Sequence, residues 1–130
     1  MFSHVTVGVS DFETSFAFYN RLLPLLGLDL KFREDGRPWA GWKAPDADRP
    51  LFVINAPFDG EAASVGNGSM TAFLASSRAQ VDAAYKAALA AGAVSEGGPG
   101  LRPEYHAHYY GAYFRDPDGN KLCVCTHGPE

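Results

Sequence analysis

Cys123 and Cys125 occupy alternate positions of KLCVC (121–125), directly after the turn sequence DPDGN (116–120). Two thiols at i and i+2 of a strand share one face, where they can serve as nucleophiles, soft metal ligands or apolar fillers. A disulfide between them is disfavoured, because such residues stand about 6.5–7 Å apart, at the limit of bridging geometry. The CxC spacing is neither a CxxC redox motif nor a zinc half-site with a matching second half. Lys121 would share their face, and a nearby cation favours the reactive thiolate of Cys123. Against that stands the ordinary inertness of a buried cysteine, and no histidine-containing triad is visible locally.

Histidine supplies the remaining chemistry. His4 lies in HVTVGV (4–9) and can act as a ligand, a general base or a hydrogen-bonded structural residue. His106 and His108 sit in YHAHYY (105–110), where two imidazoles beside Tyr105, Tyr109 and Tyr110 combine polar groups with flat apolar faces. A ligand-lining loop and a packed loop or dimer contact are both compatible with that segment. His127 reads as a surface or interface residue.

These side chains need elements to hold them. In HVTVGV, Val5, Val7 and Val9 alternate with His4, Thr6 and Gly8, giving a strand with one apolar and one polar face. Ser10 with Glu13 has capping-box spacing, and Phe12, Phe16, Tyr19 and Leu23 recur at helical spacing up to Gly27. Pro24 should end or kink the last turn. Strands are predicted at 28–33, 38–43 and 51–56. After VGNGS (65–69) the order begins again. A strand is predicted at 70–75, and a helix with Ser77 as its cap carries the stripe Val81, Ala84, Tyr85, Ala88 and Leu89. Strands are then predicted at 93–96, 101–103, 111–115 and 121–126. The chain therefore reads as one α+β domain, 1–130, made of two βαβββ modules, 3–57 and 69–127.

Each module should cover one sheet face with its helix and leave the other bare. Two such sheets side by side would form an open, curved mixed sheet. Its bare face would be lined by His4, Thr6, Leu51, Val53, Asn55, Met70, Ala72, Lys121, Cys123 and Cys125, a concave wall suited to a small ligand. Trp39, Trp42, Phe32 and Phe52 are expected in the core or the cavity wall.

Bulk properties narrow the function. The 130 residues carry a net charge of −4 with 46% hydrophobic and 20% charged side chains, an ordinary globular balance without the basic stripe that nucleic acid requires. No apolar run approaches a membrane span, and the N-terminus lacks a secretory pattern, so a cytoplasmic protein is expected.

The segment HVTVGVSDFETSFAFYNRLL (4–23), the repeated βαβββ order and YFRDPDGNKLCV (113–124) together resemble the vicinal oxygen chelate superfamily, which includes glyoxalase I, extradiol dioxygenases, and fosfomycin- and bleomycin-resistance proteins. Around LRPEYHAHYYGAYFRDPDGN (101–120) the chain is similar to a glyoxalase-like subgroup. The resemblance implies a divalent ion at the centre of the concave sheet, acting as a Lewis acid. It also implies where the ligands would fall. The first-strand histidine is His4. The fourth-strand ligand falls on Val53, with Asn55 two residues on. The histidine opening the second half is replaced by Met70, and the final glutamate by Cys123. One imidazole does not make a site for a hard divalent ion. A soft set of His4, Met70 and Cys123, suited to Cu(I) or Zn²⁺, is the remaining metal alternative.

The expectation is a small-molecule-binding protein of the glyoxalase/bleomycin-resistance type, forming a homodimer, with no cofactor and no metal unless the site is rearranged. Its cavity is expected to be lined by His4, Thr6, Val53, Met70, His106, His108, Tyr110 and Cys123. The alternative is a lyase or dioxygenase-like enzyme using His4, with a rearranged metal or metal-free acid–base chemistry shared with His106 or His108.

Overall fold

The structure, a computed structural model, describes residues 1–130. Each half contains a strand, a helix and three further strands. The first comprises β1 (His4–Gly8), α1 (Phe12–Leu22), β2 (Asp29–Arg33), β3 (Trp39–Lys43) and β4 (Leu51–Asn55). The second comprises β5 (Thr71–Leu74), α2 (Arg78–Ala90), β6 (Val94–Leu101), β7 (Tyr110–Arg115) and β8 (Lys121–Thr126). Two four-stranded sheets result, ordered β1-β4-β3-β2 and β5-β8-β7-β6, with a parallel pair at β1/β4 and at β5/β8. The α+β architecture of two βαβββ modules thus follows the sequence pattern.

The sheets are not hydrogen-bonded to each other. β1 and β5 each have a partner on one side only. The halves are joined instead through the helix layer, where α1 meets α2, and through a single apolar core. Phe18, Tyr19 and Leu22 of α1 are buried, and Tyr19 packs on Phe52 with ring centroids 5.0 Å apart. Phe52 in turn meets Phe73 of the second sheet at 5.1 Å. Small residues, Ala84 and Ala88, form the buried stripe of α2 with Val81, which lets the helix lie close to β7 and β8.

Local expectations hold, at Pro24 among others, with two adjustments. Asp11, not Ser10, caps α1: its carboxylate accepts from the Thr14 N–H and hydroxyl, so capping by an aspartate one residue closer to the first apolar turn prevails. Ser10 instead donates its N–H to Asp118. Pro24 turns the end of α1 into a 3-10 turn, Leu23–Leu26, closed by Gly27 at φ 76°. The two short strands expected at 93–96 and 101–103 are one strand, β6, because bulges between Ser95 and Gly97 and between Gly97 and Gly100 keep it paired to β7 through its glycines.

The DPDGN turn binds the two halves. Buried Asp116 accepts from the Tyr19 hydroxyl at 2.5 Å and from the Asn120 N–H at 2.8 Å. Asp118 accepts from the Ser10 N–H and the Ser15 hydroxyl, both at 2.8 Å, and the Asn120 amide donates to the Gly8 carbonyl at 3.0 Å. Burial and the Asp116 charge push the Tyr19 phenol well above its usual value, so it stays a donor.

Candidate functional site

Alternation on β1 and β4 puts His4, Thr6, Leu51, Val53 and Asn55 on the face away from α1. There they line a hollow of about 770 Å³. A bulge in β2 between Leu30 and Phe32 allows two consecutive residues, Lys31 and Phe32, to line the same hollow. The Phe32 ring lies over Gly41, where a Cβ would stand 2.4 Å from its Cε1, and meets Trp39 edge-on at 4.6 Å. Only glycine permits that approach. Arg37 stacks 4.6 Å above Trp39 and is paired with Glu34. Lys31 and Arg49, also on the wall, have no carboxylate within ion-pair distance. The Ser3 hydroxyl bonds His4 Nδ1 at 2.9 Å, leaving Nε2 without a protein partner.

The second sheet presents a different face. Met70, Tyr105, Tyr109, Tyr113, Arg115 and Lys121 line a separate hollow of about 570 Å³ with the 67–69 loop. Cys123 lies buried below it. The Tyr109 hydroxyl is 2.9 Å from that of Tyr113 and 3.5 Å from the Cys123 sulfur. The neighbouring Cys125 and burial raise the Cys123 thiol far above its usual range, so it remains protonated. Burial likewise raises Tyr109. Arg115 is engaged by Glu96 at 2.5 Å, and Lys121 leans over Tyr113 at 5.7 Å.

The expected lining set is therefore divided. His4, Thr6 and Val53 share the first hollow, Met70 borders the second, and Cys123 is enclosed beneath it; only Thr6 and Met70 also meet, with Lys121, in a smaller hollow of about 410 Å³ between β1 and β5. The reason is the unpaired edges of β1 and β5: without a ladder between them the two bare faces meet only at that small hollow and do not form one continuous wall. Tyr110 lies on the opposite side, its hydroxyl donating to Asp82 of α2 at 2.6 Å and its ring under Arg78, because β7 begins one residue earlier than the pattern suggested. His106 pairs with His127 rather than with His4, and His108 is exposed, contributing its backbone N–H to His106. Lys31, Arg37 and Arg49 were missed in the sequence. Lys31 is brought in by the β2 bulge, which alternation cannot reveal, and Arg37 and Arg49 by the β2–β3 and β3–β4 loops, which periodicity does not place.

The metal implied by the fold can be tested on these donors. Of the four expected ligand positions, Val53 has no donor atom and Met70 offers only a thioether, while His4 and Cys123 stand on separate sheets. No three His, Cys, Asp or Glu side chains converge anywhere in the chain. The residues present do not fit a divalent centre.

A third, apolar hollow of about 730 Å³ opens between the β1 and β5 edges, with Phe2, Val5, Met70 and Leu74 among its exposed lining. No helix is long and apolar enough to cross a membrane.

Two βαβββ modules, each with one sheet face covered by a helix and the other bare, define the fold class of the chain. The chain belongs to the Glyoxalase/Bleomycin resistance protein/Dioxygenase superfamily, whose family model matches residues 1–124. It is 40% identical to a glyoxalase/bleomycin resistance protein from Albidiferax ferrireducens, with a TM-score of 0.84 over 98% of this chain and 99% of the other. A glyoxalase/bleomycin resistance protein/dioxygenase family enzyme from Burkholderia phytofirmans shares the fold at 20% identity, TM-score 0.72, covering 97% and 98% of the two chains. A lactoylglutathione lyase from Agrobacterium tumefaciens does so at 20% identity and TM-score 0.66, covering 97% and 92%. No functionally curated protein matches the sequence.

Proposed function

We propose that the protein binds a small, flat organic anion on the bare face of the first sheet, without a divalent ion in the family's usual position. One observation carries this reading: the hollow has Lys31 and Arg49 unpaired on its wall and no aspartate or glutamate among its lining residues, although the whole chain is acidic. The Phe32 and Trp39 rings supply flat apolar contact, Leu51 and Val53 an apolar floor, and Thr6 and Asn55 neutral hydrogen-bonding groups. A cationic ligand would face Lys31 and Arg49 with nothing to offset them.

Calorimetric titration with aromatic carboxylates in the presence of a chelator tests the reading. Saturable binding is expected, weakened about tenfold or more in Arg49→Gln, as loss of one charge-assisted hydrogen bond implies. Binding that requires added divalent metal, or that Arg49→Gln and Lys31→Gln both leave unchanged, would overturn it.

The free Nε2 of His4 favours a second reading, a lyase or dioxygenase-like enzyme in which His4 moves a proton on the bound anion. His4→Gln would then abolish turnover while retaining most of the binding. A homodimer is supported by the two unpaired strand edges and the apolar hollow between them: a second copy would complete both edges at once. Val5→Lys or Leu74→Lys should then yield a monomer by sedimentation, and a parent already monomeric would contradict it.

A further inference from the structure

Cys125 ends a directed chain of hydrogen bonds that neither hollow uses. The His108 backbone N–H points at His106 Nδ1 at 3.2 Å. A backbone N–H is always a donor, so Nδ1 must be the bare nitrogen and the neutral ring carries its proton on Nε2. His106 Nε2 lies 2.9 Å from His127 Nδ1 and therefore donates to it. That leaves the His127 proton on Nε2, 3.7 Å from the Cys125 sulfur. Each tautomer is set by the one before it, and the last proton is aimed at sulfur. The rings are held in this order by packing: His106 and His127 stack at 5.2 Å, and Tyr109 closes edge-on against both.

Cys123 lies on the same face two residues away, and its thiol, which stays protonated, is the main influence holding the Cys125 thiol below its usual range. The Tyr109 hydroxyl and the His127 contact lower it further, against burial. The groups facing the sulfur are thus Cys123, Tyr109 and His127; Gly111 across β7 and Leu74 across β5 bring no charge. Tyr109 lies over Gly111, where a Cβ would meet its Cε1 at 3.0 Å and the Cys125 Cβ at 3.2 Å. The cover leaves Cys125 only 5% exposed.

We propose that Cys125 is a peroxide-reactive thiolate, with His106 and His127 as its positioning residues, making the bare face of the second sheet a site of reversible thiol oxidation. The thiolate attacks one oxygen of hydrogen peroxide. The S–O bond forms as the O–O bond breaks, and the departing hydroxide takes a proton from solvent. Sulfur is oxidised by two electrons to the sulfenic acid and peroxide is reduced to water. Cys123 cannot close a disulfide from two residues away on one strand, so the product waits for a small thiol. That thiol displaces water to form a mixed disulfide, and a second thiol releases Cys125. This site is independent of the ligand reading for the first sheet.

The test is peptide-resolved mass spectrometry of the full chain treated with limiting hydrogen peroxide between pH 5.5 and 8.5. Cys125 should gain one oxygen before Cys123, Met1 or Met70, at a rate that stays high well below the ordinary thiol range of about 8.5. His127→Phe should slow the reaction about tenfold at pH 7 and move its pH midpoint up, and His106→Phe should do the same more weakly. Tyr109→Ala should open the site to a bulky aromatic disulfide that the parent excludes. Oxidation falling first on Cys123 or a methionine would overturn the proposal. So would a parent rate that tracks an ordinary thiol titration, or a pH profile that His127→Phe leaves in place.

Discussion

The two sheets have the same strand order and opposite surfaces. On β3 a bulky residue precedes the glycine, Trp39 before Gly41; on β7 the glycine comes first, Gly111 before Tyr113. Registers with β4 and β8 make Trp39 the counterpart of Gly111 and Gly41 that of Tyr113. In each case an aromatic ring drops onto the glycine. Phe32 does so from β2 and leaves the centre of the first sheet open, whereas Tyr109 comes from the preceding loop and closes the second over its thiols. The adjoining loops differ in the same sense. The β3–β4 loop offers Arg49 to the first hollow, while the β7–β8 turn is occupied by bonds to α1 and β1. One scaffold thus keeps one face available to a ligand and uses the other internally.

The largest effect should come from breaking that internal use. Asp116→Ala would leave the Tyr19 hydroxyl, the Asn120 amide and the Asn120 and Asp118 N–H groups short of an acceptor in a largely buried turn. At roughly 1–3 kcal/mol for each buried group left unsatisfied, the loss should be about 3 kcal/mol or more, read by denaturant unfolding. The loop of the first half has no equivalent, so Asp46→Ala or Asp48→Ala, both exposed, should change stability by less than about 0.5 kcal/mol. A comparable loss at those positions would erase the contrast.

Gly41→Ala should come next. Its Cβ would overlap the Phe32 ring and force it off the glycine, costing about 1–3 kcal/mol and disrupting the aromatic wall. Ligand affinity should fall with it. Smallest are the helix caps: Asp11→Ala and Ser77→Ala should each cost about 1 kcal/mol, because both side chains accept a first-turn N–H in the same way. Unequal values would show that the halves differ in their helices as well as in their sheet faces.

How much of this was legible in the sequence follows from the range of each interaction. Alternation gave His4, Thr6, Leu51, Val53 and Asn55 a common face, and capping at Ser77 gave α2 its start, because both depend on neighbours a few residues away. The boundary at Asp11 was missed by one residue, since Asp118 claims the Ser10 N–H from the other half of the chain. The β2 bulge and the separation of the sheets were illegible for the same reason. His127 looked like an isolated residue; only folding of the 102–109 loop back over β8 brings His106 against it. The spacing of Cys125 and His127, again i and i+2, was the available signal.

The account rests most on the bare face of the first sheet being the one that receives the ligand, and the two tryptophans report on it separately. Trp39 lines the hollow, while Trp42 is enclosed in the core with its indole N–H on Asn20. Nuclear magnetic resonance of the indole N–H groups during titration with an aromatic carboxylate, in chelator, should shift Trp39 saturably and leave Trp42 nearly still. A still Trp39 beside moving resonances of Tyr109 and Tyr113, or a shift that appears only after a divalent ion is added, would contradict it.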